Sequence, residues 1–214
     1  LDTIRDAEAI RDELYAIAMG VWDHIKNGGD HGAENWALEW IGMLPGKRES
    51  RRFLGPHVLT QTEVETALPF EDRGAYGGWP IDTHPPAGIY DAGEPCHQPM
   101  LSAMYSIPLR CLYSRNVHNL FMAGRNISAS HLAFASTRVM ATCAVMGQAA
   151  GAAAALCSQL GKTPRELTPA EVAGLQQSLL KDDCYLLDLP NRDPADLALG
   201  ATVVASSEAQ GCVA

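Results

Sequence analysis

NLFMAGRNISASHLAFASTRVMATCAVMGQAAG, running from Asn119 to Gly151, is the stretch on which the fold turns. Its opening, Asn119 to Gly124, is an apolar run closed by glycine, the pattern of a short buried strand. A polar connection from Arg125 to Ala135 follows, and the uncharged run beyond it predicts a helix of about 20 residues starting at Ser136 or Thr137. A helix that starts beside the carboxyl end of a strand leaves unpaired backbone N–H groups there, and such a place attracts anions. With Ser136 as the cap, Arg138 falls in the first turn, where the helix dipole opposes a cation by about 0.3–1 kcal/mol. An arginine in that position makes sense beside an anionic partner. Gly147, Ala150, Gly151 and Ala154 give the helix a smooth face that lets another backbone or a flat ligand come close, although a plain buried alanine-rich helix has the same pattern.

The run from Val139 to Cys157 holds 19 residues without a charge. It is rich in alanine and glycine with Gln148 near its middle, whereas a spanning helix draws its insertion energy from Leu, Ile, Phe and Val. A buried helix is therefore expected, and no membrane. Upstream, Ile10, Leu14, Ile17, Val21 and Ile25 form the stripe of an amphipathic helix stopped by Asn27-Gly28-Gly29, and a second helical stretch is expected from Glu34 to Ile41. From Arg48 to about Arg110 short apolar runs, Val58-Leu59, Trp79 to Ile81 and Met104 to Leu109, read as β-rich structure. Asp82 to Pro99 is a proline-rich loop. Thr168-Pro169-Ala170-Glu171 is a capping box that starts another helix, to about Leu180. Periodicity is lost after Leu189, as in a tail or linker.

The chain has 214 residues, 47% of them hydrophobic, enough to bury a real core. Its 25 acidic and 16 basic residues give a net charge of -9, which repels a polyphosphate backbone, so nucleic acid is not an expected partner. Six cysteines are scattered, with neither a Cys-x-x-Cys pair nor a zinc-type histidine spacing, so no metal is expected and most read as small buried apolar residues. Asp82 and His84 have the ingredients of a base or a ligand pair, but two ligands do not make a metal site. Tyr76, Trp79 and Tyr90 are candidates for stacking on a ring or sugar, or for ordinary packing.

The run Asn119 to His131, continued by Ser136 to Gly151, resembles the C-terminal flavin-binding segment of a family of FAD-dependent oxidoreductases related to glutathione-reductase-like flavoproteins. Weaker echoes occur in Pro45 to Arg52, Gly77 to His84, Ile107 to Arg110 and Asp196 to Ala198. The resemblance implies an α/β (α+β) fragment, the C-terminal part of a two-domain FAD-binding fold with helical and β-rich substrate-domain segments and a buried strand–helix unit. On that reading residues 1–110 belong to the substrate domain, 111–160 return to the FAD domain, 161–189 pack a helix on it, and 190–214 are tail. It implies that Ala123, Gly124, Arg125 and Asn126 run past the ribityl and pyrophosphate of FAD. Ser136, Thr137, Arg138 and Val139 would then meet the pyrimidine edge of the isoalloxazine. Arg138 would stabilise the negative charge of the reduced ring, and His131 would move a proton. Arg48, Arg52 and His84 are candidates for contact with a small-molecule substrate.

No Gly-x-Gly-x-x-Gly occurs; the close pair Gly147 and Gly151 lies inside a helix. The Rossmann-type N-terminal half is therefore expected on another polypeptide or in a part missing from this chain. The expected reaction is hydride transfer between flavin N5 and a small organic substrate, with an alcohol such as a sugar hydroxyl first and an activated double bond second. Two rival readings stand beside it: a non-catalytic subunit that keeps the flavoprotein fold, and a metal-dependent hydrolase using Asp82, His84 and His97.

Overall fold

The computed structural model describes residues 1–46, 51–202 and 204–207. The chain divides into two compact units, Leu1–Arg51 and Arg52–Ala214.

In the first unit, helix α1 (Ala7–Asn27) forms where the apolar stripe predicts it and ends at Gly28, whose N–H donates to His24 O. None of its residues is buried, and Ala33 is the one buried apolar side chain among the described residues of this unit. The helix expected from Glu34 to Ile41 is not formed. The Lys26 ammonium donates to the carbonyls of Ala33, Glu34 and Trp36, which turns these oxygens away from a helical ladder, and no capping side chain precedes the run.

The second unit holds the core. Helix α2 (Gln61–Glu65) is a single turn set by a full capping box of Thr60 and Glu63. Strands β1 (Arg73–Gly77) and β2 (Tyr105–Pro108) pair antiparallel, with a bulge between Arg73 and Ala75 and with Gly77 opposite Tyr105. Trp79 to Ile81 is irregular, and Leu59 makes only an isolated parallel bridge to Ala129. The loop from Asp82 is drawn together by the Thr83–His97 bridge. The class is mixed α and β, with a two-stranded sheet among the described residues.

Two expectations for the stretch from Asn119 to Gly151 change. Asn119 to Gly124 is not a regular strand: its ladder is one bridge, Phe121 to Tyr113, because no continuous strand lies alongside. The long helix is interrupted. Ser130 accepts from Ala133 N and starts helix α3 (His131–Thr137), Arg138 closes it, Val139 is extended (ψ 150°), and helix α4 (Met140–Leu160) begins afresh. Arg138 therefore ends one helix and does not lie in the first turn of another.

Helix α4 packs against β1 and helix α5 (Pro169–Lys181), burying Thr142, Met146, Ala149, Ala150, Ala153 and Cys157. Its opposite side, including Gly147 and Gly151, is exposed, so the expectation of a fully buried helix is corrected to one buried face. By length and composition alone α4 could cross a membrane, and 33% of its apolar window is buried. Gln176 of α5 donates to the carbonyls of Glu71 and Arg73 and so fixes the helix to the start of β1. Beyond Leu189 the described chain is irregular apart from the short turn Leu197–Gly200.

Candidate functional site

Several of the candidate residues gather where α3 stops and α4 starts. The stop is built from within the core. Ser136, fully buried, donates its hydroxyl proton to Trp79 O, so its oxygen must accept from the Tyr105 hydroxyl 2.6 Å away. Burial pushes the Tyr105 phenol up to about 12, which keeps it a neutral donor. Tyr105 reaches Ser136 across Gly77: a Cβ at Gly77 would lie 2.5 Å from the Tyr105 oxygen. The cross-strand glycine thus clears the path for the hydroxyl that holds the end of α3.

Next along the chain, Arg138 Nη2 donates to Asp82 Oδ2 at 2.6 Å, with the two side chains 17% and 10% exposed. Asp82 Oδ1 lies 3.4 Å from His84 Nε2, and His84 Nδ1 is 3.0 Å from Pro95 O. A carbonyl can only accept, so Nδ1 carries a proton and Nε2 is the nitrogen turned toward the carboxylate. The loop from Asp82 and the α3–α4 junction are therefore joined by one row of polar side chains, Arg138–Asp82–His84.

Buried polar atoms without hydrogen-bond partners accumulate at this place. Asp82 Oδ1, Thr137 Oγ1 and Arg138 Nε are three of the four such side-chain atoms among the described residues. Unsatisfied buried polar groups cost about 1–3 kcal/mol each, so their concentration at one spot makes it the candidate place for a polar ligand. The start of α4 has no side-chain cap, so its first N–H groups add further donors. The donor set, a guanidinium N–H, a hydroxyl and helix-terminal amides, suits an electron-rich acceptor group.

The remaining sequence-predicted residues lie elsewhere in the unit. Ala123 to Asn126 form a turn in which Gly124 adopts φ +94°, and Asn126 O accepts from Phe53 N at 2.9 Å. His131 sits at the opposite end of α3 from Arg138, exposed and stacked on the Phe134 ring at 6.4 Å. Arg52 places its guanidinium 5.8 Å from the centre of that same ring. Arg48 lies outside the described residues. His97 is held to Thr83 by backbone bonds and does not join Asp82 and His84 in a three-ligand group. Asp82 was legible only in part, as half of Asp82-x-His84, and Tyr105 not at all, because nothing in an isolated tyrosine announces a buried hydroxyl. A cavity of about 650 Å³ lies away from this place, lined by Asp72, Arg110, Arg165 and Gln176 among others, with Arg110 already paired to Asp72.

No curated protein and no solved structure matches the chain. Among protein families, FAD dependent oxidoreductase matches residues 2–179, most of the sequence. The chain therefore belongs to the FAD dependent oxidoreductase family, and its cofactor is FAD.

Proposed function

We infer that the chain contributes the C-terminal part of a two-domain FAD-binding fold, of glutathione-reductase-like kinship, and that its α3–α4 junction meets the pyrimidine edge of the flavin. The unsatisfied Arg138 Nε, Thr137 hydroxyl and uncapped start of α4 carry this reading. The flavin supplies the hydride chemistry at N5, and the substrate is a small organic molecule, with a sugar or other alcohol favoured. A glycine-rich β–α–β segment for the pyrophosphate comes from outside this sequence.

The residues of this chain have separable tasks. Arg138 places positive charge where the reduced ring gathers electrons, and Asp82 holds that guanidinium in place. His84, turned by Pro95 O and facing Asp82, receives or returns the hydroxyl proton of the substrate. His131 and Arg52 flank Phe134 and orient substrate, while Ala123 to Asn126 pass the ribityl chain, where the positive φ of Gly124 suits a close approach.

The test is the flavin midpoint potential of the complete protein with and without Arg138→Met. Loss of one charge-assisted contact, about 1.5–3 kcal/mol, lowers a two-electron potential by about 30–60 mV. An unchanged potential in a variant that retains FAD sinks the assignment. For the proton, His84→Gln slows turnover by about 10²–10⁴-fold with flavin content intact, more than His131→Ala does; the reverse order returns that task to His131.

A further inference from the structure

The flavin chemistry leaves unused a cluster in the first unit. We propose that His24, Asp30 and His31 bind one divalent transition-metal ion of the Zn²⁺ kind, through both imidazole Nε2 atoms and one carboxylate oxygen. His24 lies on the last turn of α1, and positive φ at Gly29 (+84°) turns the chain so that residues 30 and 31 come back to it. The two Nε2 atoms are 3.0 Å apart, with the rings edge to face at 74°. His31 Nε2 is 3.3 Å from Asp30 Oδ1, and the three ligand atoms all lie within 4.8 Å of one another.

These spacings match a coordination shell. Ligands at about 2.0–2.1 Å from a tetrahedral zinc stand about 3.3 Å apart. Two neutral imidazoles facing each other can share one proton, which satisfies one lone pair, whereas a cation satisfies both nitrogens and the carboxylate together. Two histidines and a carboxylate are also a donor set of borderline softness that favours transition ions over Mg²⁺ or Ca²⁺. His31 additionally lines a groove of about 500 Å³ with Trp22, Trp36 and Trp40, so there is room for water in the fourth position. A unit with so little buried apolar surface is one whose loop a metal would fix in place.

The experiment is calorimetric titration of the chelator-stripped full chain with ZnCl₂, with MgCl₂ as the control. One Zn²⁺ per chain is expected, and His24→Ala and His31→Ala each weaken it by about a hundredfold or more. Because the chain also has cysteines, X-ray absorption of the complex must show nitrogen and oxygen neighbours at about 2.0–2.1 Å and not sulfur at about 2.3 Å. Circular dichroism checks that the variants are folded, and the isosteric Asp30→Asn, expected to weaken zinc as well, covers any alanine variant that is not. No zinc binding, affinity unchanged in the histidine variants, or a sulfur-dominated shell overturns the proposal.

Discussion

Arg138 shows how much of one residue's role can be read from its neighbours in sequence and how much cannot. Its need for an anion was argued from a place in the first turn of a long helix, a place it does not occupy; the anion it does have, Asp82, was not legible, because the pairing spans 56 positions. Replacing Asp82 with Asn leaves the guanidinium largely buried without its counter-charge, and urea unfolding is expected to show a loss of about 3 kcal/mol. Pairing Asp82→Leu with Arg138→Met should restore much of that stability while abolishing the effect on the flavin. A second residue-scale expectation concerns Tyr105. Tyr105→Phe removes a hydrogen bond to Ser136 and costs about 1 kcal/mol, whereas Gly77→Ala drives a methyl into the phenol oxygen and costs about 1–3 kcal/mol. Because that methyl would also lie 2.6 Å from Tyr105 Cζ, Gly77→Ala stays destabilising in the Tyr105→Phe background, and a double-mutant cycle on unfolding free energies reads how much of its cost is the hydroxyl's.

Among the elements, those with a local physical signature were legible. The stripe of α1 and the capping box of α5 state their boundaries in the sequence, and both helices form there. The same box at Thr60 and Glu63 starts α2, a turn too short to show periodicity. The α3–α4 interruption was hidden because an alanine-rich run stays apolar on either side of a break; Ser130, three residues before Ala133, was the signal that could have revealed it. Asn119 to Gly124 failed for a different reason: an apolar run looks like a strand whether or not a neighbour exists to complete its ladder.

Helix α5 has a pH dependence of definite sign. The hydrogen bond from Lys162 Nζ, followed by that from Thr168 N, holds the Glu171 carboxyl at about 2 against an ordinary 4.5. Because the folded value is the lower one, this stabilisation is complete above about pH 4.5 and drains away as the pH falls toward 2. Chemical shifts of Glu171 and of the first turn of α5 should titrate together in that window, and Glu171→Gln should flatten the response. At the end of α4, Gly161 is left-handed with φ +65° and closes the helix onto Cys157 O and Ser158 O. Gly161→Ala is expected to cost about 1 kcal/mol, a fall of about 3 °C in melting temperature by calorimetry.

Over the whole molecule, the two units should differ in local stability. Backbone N–H groups of α1, none of whose residues is buried, should exchange with deuterium well before those on the buried face of α4. Equal protection in both helices would contradict this ordering. Zinc, if bound as proposed, should slow exchange at the end of α1 and leave α4 unaffected.

The segment from Phe53 to Leu59 has its backbone partners far down the chain, at Arg110, Arg115, Asn126, Ser128 and Ser130. The His57 carbonyl accepts from Ser128 Oγ, 71 positions later. A nascent chain leaving the ribosome must therefore carry this piece unpaired until the later residues have emerged, so pausing between the two stretches would lengthen its exposure to chaperones and proteases.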